Sequence, residues 1–302
     1  MKTSEYQWYR PDFWEYNVAQ EAVVPFCDQD CNMVVSFATA VGKTVLAECC
    51  FGYHLQAFED GVVAYVAPYR SLCVEKYERW KDDIHFSADG VAIRTGDMTS
   101  PEYELLNAGM TVMTCESFDV RTRREQWREW IESLECVVFD EAHMIGDKTR
   151  GVALEAAIMR LTAINPDCRV VMLSATMDNA FEIAKWLKSL NGKQTKCFTS
   201  DWRPNEVSIV EHPVTGWNEA IDKTVEVVAS RKGKTLVFVH SKKMGATLTK
   251  RIKKVGINTA FHNGSVPKAR REKMERLFDD PSSGFDVLVS TSTLGAGVNK
   301  GG

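Results

Sequence analysis

No apolar run in this chain of 302 residues approaches the roughly 18 consecutive residues that a membrane-spanning helix needs. Met1-Lys2-Thr3-Ser4-Glu5 is polar and lacks the basic start and apolar stretch of a secretory signal. A membrane role and secretion are therefore not expected, and the chain reads as soluble and cytoplasmic, or nuclear in a eukaryote. Positive charge is not in excess either, since 37 Lys and Arg face 41 Asp and Glu for a net charge of −4. A polyanionic partner would have to be met by local placement of cations, not by the field of the whole molecule. Cysteine is present without pattern. The nine cysteines are scattered, Cys27-x3-Cys31 and Cys49-Cys50 have no second half at zinc spacing, and Cys73 and Cys136 fall in apolar segments where thiols act as small hydrophobes. Neither zinc nor an iron–sulfur cluster is expected.

What is present suits a globular chain: 44% of residues are hydrophobic and 26% charged, enough to bury two cores. Two short strings carry the chemistry. The apolar run Met33-Val34-Val35-Ser36-Phe37 leads into Ala38-Thr39-Ala40-Val41-Gly42-Lys43-Thr44, and Cys136-Val137-Val138-Phe139 leads into Asp140-Glu141-Ala142-His143. Each lies where an open parallel sheet exposes the carboxyl ends of its strands. A strand-to-helix turn aims successive N–H groups at one point and the helix N-terminus adds partial positive charge, so the first string, Ala40 included, suits a polyphosphate. Gly42 lets the backbone approach closely, Lys43 supplies a point charge between the β- and γ-phosphates, and the Thr44 hydroxyl is placed to ligate Mg2+. Val45 to Phe58 has helical spacing and no proline, so a helix is expected next. The string departs from GxxxxGK[ST] at Phe37, which stands where that pattern has glycine, and Val41 is bulky beside Gly42. Alone, it also fits an ordinary turn.

The second string argues against that alternative. Adjacent carboxylates at the tip of an apolar strand repel each other. Magnesium resolves the difficulty, with Asp140 holding the metal through water and Glu141 orienting and deprotonating the attacking water. A third apolar run, Arg169-Val170-Val171-Met172-Leu173, ends in Ser174-Ala175-Thr176. Together the strings read as an ATPase.

In this order, and with Pro68-Tyr69-Arg70-Ser71-Leu72 and Thr114-Cys115-Glu116-Ser117 between the first two, the strings resemble a superfamily 2 helicase. Ile145-Gly146-Asp147, Arg150-Gly151, Leu154-Glu155 and Ser200-Asp201-Trp202-Arg203-Pro204 are similar to the DExH branch holding the Ski-type RNA helicases, the archaeal DNA-repair helicases and the helicase domain of polymerase theta. Further on, Thr235 to Ser241 looks like the first strand of a second RecA-like domain and Phe261-His262-Asn263-Gly264 like its next element. Val287 to Thr291 through Gly297-Val298-Asn299 looks like motif V. The resemblance implies an α/β fold of two tandem RecA-like, doubly wound parallel-sheet domains, over residues 1–205 and 206–302. His143 gains a catalytic place through DEAH.

The family's motif VI, a QxxGRxGR string whose arginine reaches the γ-phosphate, does not occur before Lys300-Gly301-Gly302. Such an arginine is worth about 10³ to 10⁵ in rate. The second domain is thus expected to be incomplete at its C-terminal side, with an unpaired sheet edge, and the chain reads as a fragment or truncated product. Iron–sulfur helicases place four cysteines between phosphate loop and acidic motif, an interval that here holds only Cys73 and Cys115 well inside it.

The resemblance also implies a groove for single-stranded or partly duplex nucleic acid. It would use Arg70, Thr95, Gly96 and Thr114 in the first domain and Ser241, Asn263, Thr291 and Thr293 in the second, mostly on the sugar-phosphate backbone. Gly297 and Asn299 would join the nucleotide contacts, and Ser174 and Thr176 would couple closure of the ATP cleft to the groove. DNA is favoured over RNA because IGD-x-x-RG is closer to the repair branch. A glutamine upstream of the phosphate loop reads the adenine edge in this superfamily, and Gln20 stands there, beyond the aromatic segment Tyr6, Trp8, Tyr9, Phe13, Trp14 and Tyr16. Cycles of closure on ATP would move a strand past a monomer. Two basic runs, Arg121-Thr122-Arg123-Arg124 and Lys268-Ala269-Arg270-Arg271, sit at or near the start of expected helices and read as solvated faces. Three alternatives stay open: a nucleotide- and nucleic-acid-binding module without turnover, a Ski-type RNA helicase, and a duplex translocase or annealing enzyme.

Overall fold

The computed structural model describes residues 1–291 and 294, apart from 10, 59, 60, 84, 87, 88 and 149. The chain divides into two units, Met1–Glu206 and Val207–Gly302.

The first unit holds β1 (Asn32–Phe37), β2 (Val62–Ala67), β3 (Val91–Arg94), β4 (Met110–Thr114), β5 (Leu134–Phe139), β6 (Arg169–Ser174) and β7 (Thr195–Ser200). They form one seven-stranded sheet in the order β3-β4-β2-β5-β6-β1-β7, and every pairing is parallel. Near-continuous apolar runs are what a sheet covered on both faces demands. Because side chains alternate, Val35, Phe37, Tyr65, Val138 and Leu173 fall into one core and Val34, Val66, Val137 and Met172 into the other. Residues of Lys43–Ala57 and Arg70–Trp80 complete the first core, and those of Cys115–Thr122, Arg128–Glu132 and Ala180–Asn191 the second.

Among the described residues the aromatic segment from Tyr6 to Tyr16 holds no helix; it follows the 3₁₀ turn Thr3–Glu5 and packs on Lys43–Ala57. Tyr6 Oη donates to Cys49 O at 3.0 Å and Tyr9 Oη to Glu48 Oε2 at 2.9 Å. Trp80 Nε1 and Arg79 Nε, at 2.9 and 2.7 Å, complete the partners of that buried carboxylate. Such contact requires the small residue Gly52, where a Cβ would lie 2.3 Å from Trp8 O.

The second unit holds β8 (Thr235–Phe238), β9 (Thr259–His262) and β10 (Val287–Ser290), a parallel sheet in the order β8-β10-β9. Trp217–Ser230, Lys242–Lys254 and Lys268–Asp279 are its helices. The last starts right after Pro267, as its sequence suggested. Among the described residues no helix is long and apolar enough to cross a membrane. All nine cysteines are free thiols, and eight are buried.

Candidate functional site

The phosphate loop leaves the carboxyl end of β1, and its two turns to positive φ, Ala40 at 66° and Gly42 at 83°, bring the chain to the N-terminus of Lys43–Ala57. No side chain caps that first turn, so its N–H groups and dipole face outward from Gly42. Phe37 puts its ring into the core at 1% exposure, so the missing glycine costs the loop no space. The loop uses instead the Phe37 carbonyl, which with that of Ala38 accepts from Lys43 Nζ at 3.1 and 3.2 Å. Burial pushes the Lys43 ammonium down from its ordinary range, against the pull of Asp140 and Glu141. Thr44 is half-buried one residue on.

Gln20 reaches this loop from outside it. Asn17 caps Val18–Glu21 in a capping box, with Gln20 N donating to Asn17 Oδ1 at 3.0 Å and Asn17 N to Gln20 Oε1 at 3.1 Å. The box aims Gln20 Nε2 at Gly42 O, 3.2 Å away, while Asn17 Nδ2 donates to Val41 O at 2.9 Å. A Cβ at Gly42 would lie 2.6 Å from Gln20 Nε2. The glutamine is therefore tied to the phosphate loop by its Nε2 and to Asn17, itself bonded to the loop, by its Oε1.

The acidic pair follows β5, separated from β1 in the sheet by β6 alone. Asp140 is buried and accepts from Glu141 N at 2.7 Å through Oδ1 and from Tyr65 Oη at 2.6 Å through Oδ2. Glu141 has φ 53°, a strained setting for a residue with a Cβ. Burial, and next the Asp140 carboxylate, raise the Glu141 carboxyl above the usual range, with His143 and Lys43 opposing. His143 Nδ1 lies 3.3 Å from Glu141 Oε2 and 3.4 Å from Ser174 Oγ at the end of β6. Three strand tips, those of β1, β6 and β5, thus hold Lys43, Ser174 and the acidic pair side by side. Thr176 is exposed beyond them. Ser36 Oγ, which sequence reasoning passed over, accepts from Met177 N at 2.8 Å and donates to Ala175 O at 3.4 Å, fixing that loop.

On the other half of the same edge, the tips of β2, β4 and β3 line a groove of about 640 Å³. Arg70, Gly96 and Thr114 share it with Arg94, Glu116, Ser117 and Arg121. The Arg70 guanidinium lies over Gly96 and pairs with Asp97 at 2.9 Å. Thr114 caps Cys115–Thr122, its Oγ1 accepting from Ser117 N at 3.3 Å. Thr95 is buried, and its Oγ1 is taken up by the turn, donating to Met98 O at 3.1 Å and accepting from Met98 N at 3.0 Å.

Arg121 and Arg94 were missed as groove residues. The basic run 121–124 links the end of Cys115–Thr122 to the helical turn Glu125–Trp127, near a helix start as its sequence suggested, but Arg121 is not solvated: it is 7% exposed, stacked on Trp127. The aromatic at 127 was the available signal. In the second unit, Ser241 caps Lys242–Lys254 with its Oγ 3.2 Å from Met244 N. Asn263, buried after β9, accepts from Ser265 N at 2.9 Å, and Thr291 N, after β10, donates to His262 O at 3.2 Å. These three follow strands of one parallel sheet. Thr293, Gly297 and Asn299 lie outside the described residues.

Residues 17–183 match the family model of the DEAD/DEAH box helicases, more than half of the chain. The chain belongs to that family. Residues 218–302 match a second model, the helicase conserved C-terminal domain, in keeping with the resemblance read from the motif strings. Among curated relatives of this family member, the ATP-dependent DNA helicase Hel308 of Pyrococcus abyssi is 29% identical over 310 residues, covering 89% of this chain and 41% of that one. Hel308 of Thermoplasma volcanium is 27% identical over 322 residues, covering 95% and 46%. The chain therefore spans less than half the length of these relatives. Of solved structures, the DUF1998 helicase MrfA bound to DNA and AMPPNP gives a TM-score of 0.74 at 19% identity, covering 96% of this chain and 43% of that one. S. cerevisiae Dbp5 bound to RNA and ADP BeF3 gives 0.67 at 20%, covering 95% and 72%. These likenesses fix the fold as tandem RecA-like domains.

Proposed function

We propose that this helicase-family chain binds ATP at the β1, β6 and β5 tips, hydrolyses it with magnesium, and couples the reaction to movement along single-stranded nucleic acid, DNA before RNA. The observation that carries the reading is the adjacency of an uncapped helix N-terminus with its lysine to a buried aspartate and a strained glutamate on one sheet edge. Its relatives' names, ATP-dependent DNA helicase, support the choice of ATP and of DNA.

Lys43, held by two carbonyls, exchanges those partners for phosphate oxygens, a charge-assisted and stronger contact. Glu141 takes the proton of the attacking water and His143 steadies it. Gln20 presents an acceptor and a donor to the adenine edge. Asp140 and the Thr44 hydroxyl are the donors for magnesium, an all-oxygen set, as suits an ion that keeps waters and takes substrate phosphates. When bound it neutralises phosphate charge.

The test is strand binding by fluorescence anisotropy, with dT and rU oligonucleotides, in the presence and absence of a non-hydrolysable ATP analogue. Nucleotide-dependent affinity that is greater for dT supports the reading. Equal affinity for both strands would remove the DNA preference, and indifference to nucleotide would leave a binding module without a motor.

A further inference from the structure

Arg121 is a buried cation with an unmet donor. Its Nη1 donates to Ser117 O at 2.9 Å and its guanidinium stacks on Trp127 at 4.4 Å from the ring centroid, but the buried Nε has no hydrogen-bond partner. No carboxylate pairs with it among the described residues. The aspartate of its own helix, Asp119, is engaged by Arg123 and Arg160. Burial most of all, then Arg94 and also Arg124, push the Arg121 guanidinium down to about 10, with Glu102 alone pulling the other way.

A guanidinium placed so, more than nine-tenths buried and beside a second arginine, destabilises the fold unless an anion completes it. Among the described residues no carboxylate hydrogen-bonds to it, although Glu102 acts on it from a distance and Glu116 lines the same groove. Arg121 and Arg94 both line the groove with the hydroxyl-bearing Thr114 and Ser117 and with Arg70, whose charge is already shared with Asp97. Glu116 is the acid on that wall. The ligand that fits is a singly charged anion with two free oxygens, able to accept from two guanidinium groups at once. A carboxylate has that charge, but the groove's row of hydroxyl and cationic groups suits a chain with repeating anions.

Resting on the strand-groove reading above, we propose that Arg121 and Arg94 form a phosphate-binding point in this groove, which takes one backbone phosphate of a single nucleic-acid strand. Neither arginine belongs to the motif strings that place Arg70 and Thr114. The contact carries affinity and no base choice, so it serves DNA and RNA alike.

The experiment compares the full chain with Arg121→Met, Arg94→Gln and Arg70→Ala by anisotropy on dT and rU oligonucleotides across a salt series, with melting midpoints of the free proteins. Arg121→Met and Arg94→Gln are each expected to weaken both strands about tenfold, as for a charge-assisted contact. The slope of log affinity against log salt should become shallower in each, by at most about 0.7, since the two arginines share one phosphate. Arg121→Met should melt no lower than the parent, because removing a buried cation that no carboxylate pairs offsets the lost Ser117 hydrogen bond, and the Met side chain still packs on Trp127. Parent-like affinity and slope in these two variants, with Arg70→Ala weakened, would overturn the phosphate point and leave the groove standing. Weak binding in Arg121→Met with a lowered midpoint, beside an unaffected Arg94→Gln, would show a structural arginine and overturn it too. No strand binding by the parent chain would overturn both readings.

Discussion

Tyr65 donates its phenol hydrogen to Asp140 Oδ2 at 2.6 Å, joining the strand that leads to Arg70 to the strand tip that carries the acidic pair. Burial pushes the Tyr65 phenol far up, the neighbouring Asp140 adding to it, so the ring stays a donor at any working pH. With Glu141 N on the other oxygen, the Asp140 carboxylate has one orientation. Tyr65→Phe should therefore raise the Mg2+ concentration for half-maximal hydrolysis several-fold and cost about 2 kcal/mol of stability, the range for a hydrogen bond to a charged group. A magnesium titration with a denaturant melt checks both, and an unchanged titration would show that Tyr65 does not position the aspartate.

Glu141 gives a pH-dependent prediction. Its carboxyl is raised in the folded chain, so the ionised form is disfavoured there relative to the unfolded chain. The penalty is present at neutral pH, above both values, and disappears as pH falls below the ordinary glutamate range. Glu141→Gln should accordingly melt higher than the parent near pH 7, and the gain should vanish on acidification. Hydrolysis should fall by about 10²- to 10⁴-fold, as for loss of a general base, while ATP stays bound and strand affinity with ATP rises. A variant that melts lower at pH 7 would contradict the burial argument; unaltered hydrolysis would remove Glu141 as the base.

Gly42 and Gln20 act as one unit. At φ 83° and with Gln20 Nε2 2.6 Å from an added Cβ, Gly42→Ala should cost about 1–2 kcal/mol and displace the glutamine. Gln20→Ala leaves the loop glycine in place and should abolish the preference for ATP over GTP in a nucleotide competition. Retained preference would assign Gln20 to loop structure only.

Arg169 donates to Cys31 O, Cys27 O and Phe26 O at 2.9, 2.5 and 2.7 Å and is fully buried. Arg169→Met leaves those carbonyls unmet between the Gln20 segment and β1. A loss of at least about 3 kcal/mol is expected in denaturant unfolding; a smaller one would mean that water replaces the guanidinium.

The strands and the phosphate loop were legible because buried parallel strands must read as apolar runs and because lysine, threonine and paired acids at their tips have few other uses. Phe37 was the departure from the phosphate-loop pattern; its ring turns into the core and its carbonyl accepts from Lys43. Tyr65 and Arg169 were not legible as working groups. Each lies within or opens an apolar run, where pattern alone assigns packing, and only the pairing of β2 with β5 brings a phenol to Asp140. Arg121 was read as solvated because its basic run alternates with glutamates further along, as a surface helix does. Its burial depends on Trp127, a tertiary contact that charge patterning does not encode. The Thr95 hydroxyl is taken up by its own turn, a local hydrogen bond that a motif position does not reveal.

The most direct test of the account is ATP hydrolysis by this 302-residue chain, with and without single-stranded DNA or RNA, beside a Lys43→Ala control. The account predicts hydrolysis that a single strand stimulates and that Lys43→Ala abolishes. Hydrolysis that Lys43→Ala leaves unchanged, or that no strand stimulates, would contradict it.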